Sequence, residues 1–277
     1  MKIMVQKFGG TSVRDKQSRL HAISHVQDSI KEGYKVVVVV SAMGRYPEPY
    51  ATDSLLGLVG NHNSYLSNKE TDLLLSCGEI LSSLVFSNEL KEQKIDATAI
   101  TGAEAGIITT DDFTKAQIKS VQTNQLLTLL HRHQVVVVAG FQGKTERNEI
   151  TTIGRGGSDT TATALAAALH AEYVDIFTDV TGIMTADPNI VSSAKKLDAI
   201  SYTEICNLAY QGAKVIHPRA VEIAMQANIP IRVRSTRSKD PGTLIASINE
   251  LDETSNVKDR LVTGIAYVNT NKNSECK

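Results

Sequence analysis

Residues 151–161 read TTIGRGGSDTT, and this stretch is the most informative part of the 277-residue sequence. Three glycines surround Arg155, and an alanine-rich run follows at 162–169. The pattern predicts a tight loop that leads into the N-terminus of a helix. Such a loop directs unpaired backbone N–H groups at one point, which suits a carboxylate or a phosphate. The alternative is that the glycines only form a turn and that Ser158 or Asp159 only caps the helix.

Arg155 favours the ligand-binding interpretation of this loop. Its guanidinium is permanently charged and can hold a carboxylate through two parallel hydrogen bonds. The loop is therefore expected to bind a small acidic ligand.

Strand-like runs elsewhere also end in small, polar or glycine-rich turns. The run 3–8 leads into Gly9 and Gly10, and five consecutive valines at 36–40 lead into Ser41. Five valines in a row predict a parallel strand that is buried on both faces. Since helical periodicity alternates with these runs, the sequence predicts an α/β fold.

Lys7 and the Gly9-Gly10 turn are candidates for a phosphate site. In an open α/β sheet the ligand crevice lies at the carboxyl ends of the strands, where these residues are expected. The alternative is a solvated lysine beside a structural turn. Lys214, close to Gly212, is a second candidate cation for a phosphate.

Thr52 and Glu79 each allow two interpretations. Thr52 either caps a short helix or contacts a ligand. Glu79 belongs to a mostly apolar helix predicted over 72–90, so its carboxylate must be paired or solvated. A ligand ammonium would be a suitable partner, and a surface ion pair is the simpler expectation.

The composition excludes several classes of protein. Apolar residues make up 42% of the chain, charged residues 21%, and the formal net charge is -1. No global field therefore favours nucleic acid or an anionic membrane. Three widely spaced cysteines argue against a disulfide framework and against a zinc site, and fit a cytoplasmic protein. We find no signal peptide, and we expect no apolar stretch long enough to span a bilayer.

Two common nucleotide-binding motifs are missing from the sequence. The first turn lacks the Rossmann pattern G-x-G-x-x-G, and the chain lacks the Walker pattern G-x-x-x-x-G-K-[ST]. Glycine-rich turns with two lysines and one arginine favour phosphoryl transfer over dinucleotide binding. The sequence therefore predicts a kinase of neither the P-loop nor the protein-kinase type.

Four motifs in fixed order resemble the aspartate kinases (aspartokinases) of the amino acid kinase family, bacterial monofunctional type. They are KFGGTS at 7–12, TIGRGGSD at 152–159, FTDV at 177–180 and GAKVIHP at 212–218. The resemblance covers residues 1 to about 247. It implies an open, mainly parallel sheet sandwiched between helices. It also implies ATP with Mg²⁺ held mainly by the ATP phosphates, L-aspartate as acceptor, and a homodimer.

The resemblance also assigns roles to individual residues. Lys7 and Lys214 would neutralise the transferring phosphoryl group, with Asp159 holding Lys7 in place. Arg155 would bind the α-carboxylate of aspartate beside Ser158, and Glu79 would accept its ammonium with help from Thr52. The phosphate oxygens would be contacted by Gly9, Gly10 and Ser41. The nucleotide site would be lined by Thr178, Asp179, Met184 and Asp187. No residue is assigned to a protein-held metal.

Two departures from the family pattern affect these expectations. Asn189 stands where many members carry arginine after the Asp-Pro pair, which puts one nucleotide contact in doubt. We expect residues 1–247 to form the catalytic domain, 248–260 a linker, and 261–277 the start of a truncated ACT regulatory domain. The feedback amino acid, whether lysine, threonine or diaminopimelate, is not assigned by the sequence.

Two other functions compete with this one. Another amino acid kinase, acting on glutamate or acetylglutamate, would use the same fold. A non-catalytic effector-binding subunit would keep the fold without turnover. Arg155 with Glu79 favours aspartate over the first, and Lys7, Asp159 and Lys214 together argue against the second.

Overall fold

The computed structural model describes residues 1–187, 190–210, 216–247 and 264. Four features of the sequence analysis fall on the other residues. Lys214, Asn189, the predicted linker 248–260 and, apart from Gly264, the predicted ACT segment 261–277 lie outside the described residues.

Twelve strands alternate with eight α-helices along the described chain. The strands are β1 Ile3–Phe8, β2 Lys35–Val40, β3 Ala97–Ile100, β4 Ile107–Thr109, β5 Ile118–Val121, β6 Val135–Ala139, β7 Gln142–Lys144, β8 Ile150–Thr152, β9 Tyr173–Thr178, β10 Ala199–Ser201, β11 Ile231–Ser235 and β12 Thr243–Ala246. The helices are α1 Gly10–Val13, α2 Lys16–Lys31, α3 Thr52–Leu58, α4 Asn68–Glu92, α5 Asn124–Arg132, α6 Gly157–Leu169, α7 Tyr202–Tyr210 and α8 Pro218–Ala227.

The main sheet has eight strands in the order β10-β12-β11-β9-β1-β2-β6-β3. The strands from β11 to β3 are all parallel, and β12 pairs with β11 in the antiparallel direction at one edge. The predicted α/β fold with an open, mainly parallel sheet is therefore confirmed. Because the carboxyl ends of the parallel strands share one edge, the turns after β1, β2, β6 and β9 are brought close together.

The valines of β2 explain why this sheet is covered on both sides. Val37 and Val39 belong to the core shared with α6 and α8, whereas Val36, Val38 and Val40 pack with residues of α2 and α4. All five side chains are fully buried. Alternate residues of a strand point to opposite faces, so an unbroken apolar run can fill two cores at once.

A second, four-stranded sheet with the order β5-β4-β7-β8 was not predicted as a sheet. Its strands are short, and β7 and β8 form an antiparallel hairpin around a charged turn. This hairpin returns the chain to the loop around Arg155.

Helix α4 corrects the expectation that no segment is long and apolar enough to span a bilayer. The helix has 25 residues, and its most apolar stretch of 18 residues has a mean hydropathy of 1.3, which is sufficient to cross a bilayer. However, 56% of that stretch is buried inside the protein. It also carries the buried carboxyl groups of Asp72 and Glu79. These features are typical of a core helix in a soluble protein.

Candidate active site

The loop that carries Arg155 joins β8 to α6, as predicted. Gly156 occupies the capping position of α6 with φ of 72°, and no side chain caps the helix. A Cβ atom at this position would also lie 2.3 Å from the ring of His217, so only glycine fits. The first-turn N–H groups of α6 therefore have no side-chain acceptor, and the alternative in which Ser158 or Asp159 caps the helix is wrong.

The loop forms one wall of a cavity of about 210 Å³ at the carboxyl edge of the main sheet. The cavity brings together seven residues that were predicted to bind substrate or act in catalysis. They are Lys7, Ser41, Thr52, Glu79, Arg155, Ser158 and Asp159. Lys7 and Arg155 thus face one shared space, although 148 positions separate them in the sequence (155 − 7).

Lys7 is held by Asp159 within this cavity. The Lys7 Nζ atom lies 2.7 Å from Asp159 Oδ1, and the two side chains are only 13% and 14% exposed. A cation fixed in this way is already oriented before any ligand arrives. Ser41 Oγ donates to Ser158 Oγ at 3.0 Å, which joins the turn after β2 to the first turn of α6.

Arg155 differs from Lys7 in that no residue of the described part of the chain pairs with its charge. Its side chain is exposed, and no hydrogen bond or ion pair joins it to a described residue. The guanidinium is therefore available for an external anion.

Glu79 is buried, so the surface ion pair that the sequence favoured is wrong. Its side chain is 3% exposed. One carboxyl oxygen accepts the Ala42 N–H at 3.1 Å, and the other has no hydrogen-bond partner. Burial raises the pKa of Glu79 to about 8, against the smaller opposing effect of the Ala42 N–H. A buried oxygen without a partner, beside a cavity, is a ready acceptor for a ligand ammonium.

Thr52 does not cap a helix. Helix α3 begins at Thr52 itself, Ala51 occupies the capping position, and no side chain caps the helix. Thr52 instead lines the cavity with Glu79. The ligand-contact alternative is therefore the one that the geometry favours.

A second cavity, of about 410 Å³, contains Thr178 and Asp179. Thr178 Oγ1 donates to Asp179 Oδ1 at 3.1 Å, and Asp179 lies 3.5 Å from a guanidinium nitrogen of Arg45. Thr11 and Ser12, which follow the Gly9-Gly10 turn in the sequence, line this second cavity. Lys7, which precedes the turn, lines the first cavity.

Gly9 and Gly10 line neither of these two cavities. Gly10 makes a close backbone approach, because a Cβ atom on it would lie 2.7 Å from the Gly44 carbonyl oxygen. The Gly44 N–H in turn donates to the Gly10 carbonyl at 3.0 Å. The turn after β1 is therefore locked against the turn after β2.

Two predicted nucleotide residues are not brought to either cavity. Met184 is half-buried and its backbone forms an isolated antiparallel β-bridge with Lys196, and Asp187 is exposed. Lys214 lies outside the described residues. The roles of these three residues stay predictions.

Asp72 and Phe141 are two residues near the site that the sequence analysis missed. Phe141 lines the first cavity directly after β6, with φ of 67°. Its position after a buried strand was the available signal. Asp72 is fully buried in α4, and a second acidic residue on an apolar helix was its signal.

No group of three or more His, Cys, Asp or Glu side chains among the described residues could hold a metal ion.

The amino acid kinase family model matches residues 2–235. Aspartokinase 1 of Bacillus subtilis (strain 168) is 61% identical over 268 residues, which are 97% of this chain and 66% of that protein. The chain thus spans just under two thirds of the length of that relative.

Two solved structures are similar over most of the chain. An aspartate kinase from Synechocystis has a TM-score of 0.77 at 41% identity, covering 93% of this chain and 40% of that one. Aspartokinase III of E. coli, in complex with aspartate and ADP, has a TM-score of 0.76 at 32% identity, covering 89% and 65%. With the family match over most of its length, the chain belongs to the amino acid kinase family.

Proposed function

We propose that this chain is the catalytic region of an aspartate kinase, which transfers the γ-phosphoryl group of ATP to the side-chain carboxylate of L-aspartate. The product would be 4-phospho-L-aspartate, at the first step toward lysine, threonine, methionine and diaminopimelate. The observation that carries the proposal is the first cavity. It holds a fixed lysine, a free arginine and an unpartnered buried carboxyl oxygen around one space.

The two ends of a free amino acid match the groups of this cavity. Arg155 has a free guanidinium for the α-carboxylate, with Ser158 beside it. Glu79 offers its unpartnered oxygen to the α-ammonium, next to Thr52. Recognition of both ends is what separates an amino acid from a simple carboxylic acid.

The chemistry requires no general base. An aspartate side chain has a reference pKa of about 3.9, so its carboxylate is ionised at neutral pH and can attack phosphorus directly. A carboxylate oxygen forms the new bond to the γ-phosphorus, and the bond to the bridging oxygen of ADP breaks. ADP leaves with that electron pair, and no proton has to move.

The main obstacle is the repulsion between a carboxylate and a triphosphate, both anionic. Lys7, oriented by Asp159, would neutralise the charge that develops on the transferring group. The uncapped N–H groups of α6 and the hydroxyl of Ser41 add further donors. Lys214 would supply a second cation from the segment before His217.

ATP and Mg²⁺ fit the residues that are present. The second cavity contains Thr178 and Asp179 for the nucleotide, and Met184 and Asp187 follow along the same segment. Mg²⁺, held mainly by the ATP phosphates, would neutralise part of their charge.

We extend the proposal to the organisation of the chain. Residues 1–247 would be the catalytic domain, 248–260 a linker and 261–277 the start of an ACT domain. The protein would be cytoplasmic and homodimeric, with no nucleic acid or membrane as partner.

A hydroxylamine trap tests the proposed function against its two competitors. The chain is incubated with Mg-ATP, hydroxylamine and either L-aspartate, L-glutamate or N-acetyl-L-glutamate, because an acyl phosphate reacts with hydroxylamine to a hydroxamate, which forms a coloured complex with ferric ion. Signal with aspartate alone supports the proposal. Signal with glutamate or N-acetylglutamate alone supports a glutamate-type kinase, and no signal with any of the three supports a non-catalytic subunit.

The pKa of Glu79 leads to a prediction on pH dependence. With a pKa of about 8, roughly nine tenths of the Glu79 side chains are neutral at pH 7, and only the ionised fraction can pair with an ammonium. The KM for aspartate should therefore fall about tenfold per pH unit between pH 6 and 7, and level off near pH 8. Calorimetry at pH 7 in buffers of different ionisation enthalpy should show that binding releases about one proton.

Glu79→Gln is the matched control for this prediction. The variant should bind aspartate weakly, with no release of a proton and little pH dependence. A wild-type KM that does not change over this range would contradict the role of Glu79. The same raised pKa should make the unliganded fold less stable as pH rises from 4.5 to 8, because the unfolded carboxyl loses its proton first.

A further inference from the structure

Asp72 is a fully buried carboxylate that lies behind the site and outside the lining of the first cavity. No lysine, arginine or histidine of the described chain pairs with it. Burial raises the pKa of this carboxyl, while the hydrogen bonds it accepts oppose that shift. A buried acid without a cation is costly, so its hydrogen-bond partners must explain its presence.

Four hydrogen bonds end on this one side chain. The Thr114 N–H donates to both Asp72 oxygens, at 3.0 and 2.9 Å. The Thr152 N–H donates to Oδ2 at 2.9 Å, and the Thr152 hydroxyl donates to Oδ1 at 2.5 Å. Asp72 thus ties helix α4 to two segments that are distant in the sequence.

Both segments support the loop that carries Arg155. Thr152 is the last residue of β8 and directly precedes Ile153 and Gly154. Thr114 backs the same loop, because a Cβ atom on Gly154 would lie 3.3 Å from the Thr114 carbonyl oxygen. The Ala116 N–H also donates to the Thr152 carbonyl at 2.9 Å. Asp72 therefore holds the base of the loop and the turn behind it.

Helix α4 also carries Glu79, seven residues after Asp72. Seven residues are close to two helical turns, so the two side chains lie on one face about 10.5 Å apart along the axis. Between them, the Gln142 side-chain amide donates to the Ser76 carbonyl at 3.0 Å and ties β7 to the same helix. Helix α4 thus carries Glu79, the candidate acceptor for the ammonium, and anchors the loop of Arg155, the candidate partner of the α-carboxylate.

We propose that Asp72 is a positioning residue for substrate recognition, which fixes the Arg155 loop at a set distance from Glu79. The proposal rests on the proposed function, in which Arg155 and Glu79 bind the two ends of one amino acid. Loss of the Asp72 hydrogen bonds would let the loop move relative to Glu79 and would weaken binding of the amino acid selectively. The second cavity and its Thr178 would be unaffected.

Three variants remove different numbers of the hydrogen bonds to Asp72. Asp72→Asn keeps one acceptor oxygen but replaces the other with an NH2 group, which cannot accept the N–H or hydroxyl that donates to that position. Thr152→Val removes the hydroxyl bond alone with little change of shape, and Thr152→Ser keeps it. We expect the KM for aspartate to rise at least about 30-fold in Asp72→Asn, about 5-fold in Thr152→Val, and less than twofold in Thr152→Ser. The KM for ATP should change less than about threefold in each.

A double-variant cycle separates positioning from a merely structural role. If Asp72 acts through Arg155, Asp72→Asn should add little to the effect of Arg155→Ala on the KM for aspartate. Additive effects, or equal increases in the two KM values, would overturn the proposal. If Asp72→Asn fails to fold, the Thr152→Val and Thr152→Ser pair carries the same test with a smaller change.

Hydrogen exchange gives a readout that does not need turnover. In the substrate-free chain, Asp72→Asn and Thr152→Val should speed exchange of the amides at 153–158, and Thr152→Ser should not. Faster exchange in a chain that makes no hydroxamate would reject the proposed function but keep the anchoring role. Unchanged exchange in an active chain would reject the anchoring role alone.

Discussion

Replacing Lys7 with methionine is expected to lower kcat about a thousandfold, the largest loss from any single substitution at this site. Lys7 Nζ lies 2.7 Å from Asp159 Oδ1 in the first cavity, and the Lys7 side chain is only 13% exposed. If the ammonium is removed, little water can reach its position to stabilise the developing negative charge. Methionine keeps most of the length and apolar surface of the chain but removes the cation. The KM for aspartate should change far less than kcat, because the charge acts on the transferring phosphoryl group. Steady-state release of ADP in a coupled assay measures both constants.

Two controls make this result specific. Lys2→Met makes the same change at an exposed lysine just before β1, where Nζ lies 3.6 Å from Glu172, and should leave kcat unchanged. The double variant Lys7→Met/Asp159→Asn removes the carboxylate that the first substitution leaves unpaired. If the double variant recovered most of the activity, the loss would come from the unpaired Asp159, and Lys7 would not be catalytic.

Replacing Arg155 with alanine is expected to raise the KM for aspartate about a hundredfold or more, with little change in the KM for ATP. Two charge-assisted hydrogen bonds to one carboxylate are together worth several kcal/mol, which corresponds to a factor of this size. No described residue uses the Arg155 guanidinium, so the substitution leaves no carboxylate of the described chain unpaired. The thermal midpoint should therefore stay close to that of the wild type. Initial rates over a grid of aspartate and ATP concentrations give both KM values.

Arg147→Ala is the matched control, since Arg147 is an exposed arginine in the neighbouring β7–β8 hairpin. It should leave both KM values within about twofold of the wild type. Arg155→Lys keeps the charge but loses the planar fork, and should fall between alanine and arginine. Equal increases in the KM values for aspartate and ATP would remove Arg155 from its assigned role.

Asp72, Glu79 and Arg155 together suggest how the fold could distinguish aspartate from glutamate. The two acids differ by one methylene, which a rigid site can discriminate by about 10- to 200-fold. In the proposed site, the distance between Glu79 and the Arg155 loop is set by α4 through Asp72. Variants that loosen this anchor should therefore lose preference for aspartate as well as affinity.

Local features of the sequence were sufficient to predict much of the fold and the first cavity. Five valines in a row predicted β2, because only a strand buried on both faces places that many β-branched side chains out of water. The glycines around Arg155 predicted the turn into α6, because glycine tolerates positive φ. In the structure, Gly156 has positive φ, and close contact with His217 leaves no room there for a side chain. Parallel pairing of β1 and β2 then placed Lys7 and Ser41 at one edge, and the antiparallel β7–β8 hairpin returned the chain to Arg155 there.

The sequence alone determined the buried strands β1 and β2, the glycine turns and the identity of the charged groups, because these depend on residues close together in the chain. The tertiary structure alone decided the environment of each carboxyl group. Glu79 is buried with a raised pKa and Asp72 receives the N–H of Thr152, 80 residues away. Burial and hydrogen bonding of this kind arise only when distant segments pack together. Hydrophobic periodicity, which depends on neighbouring residues, therefore does not predict them.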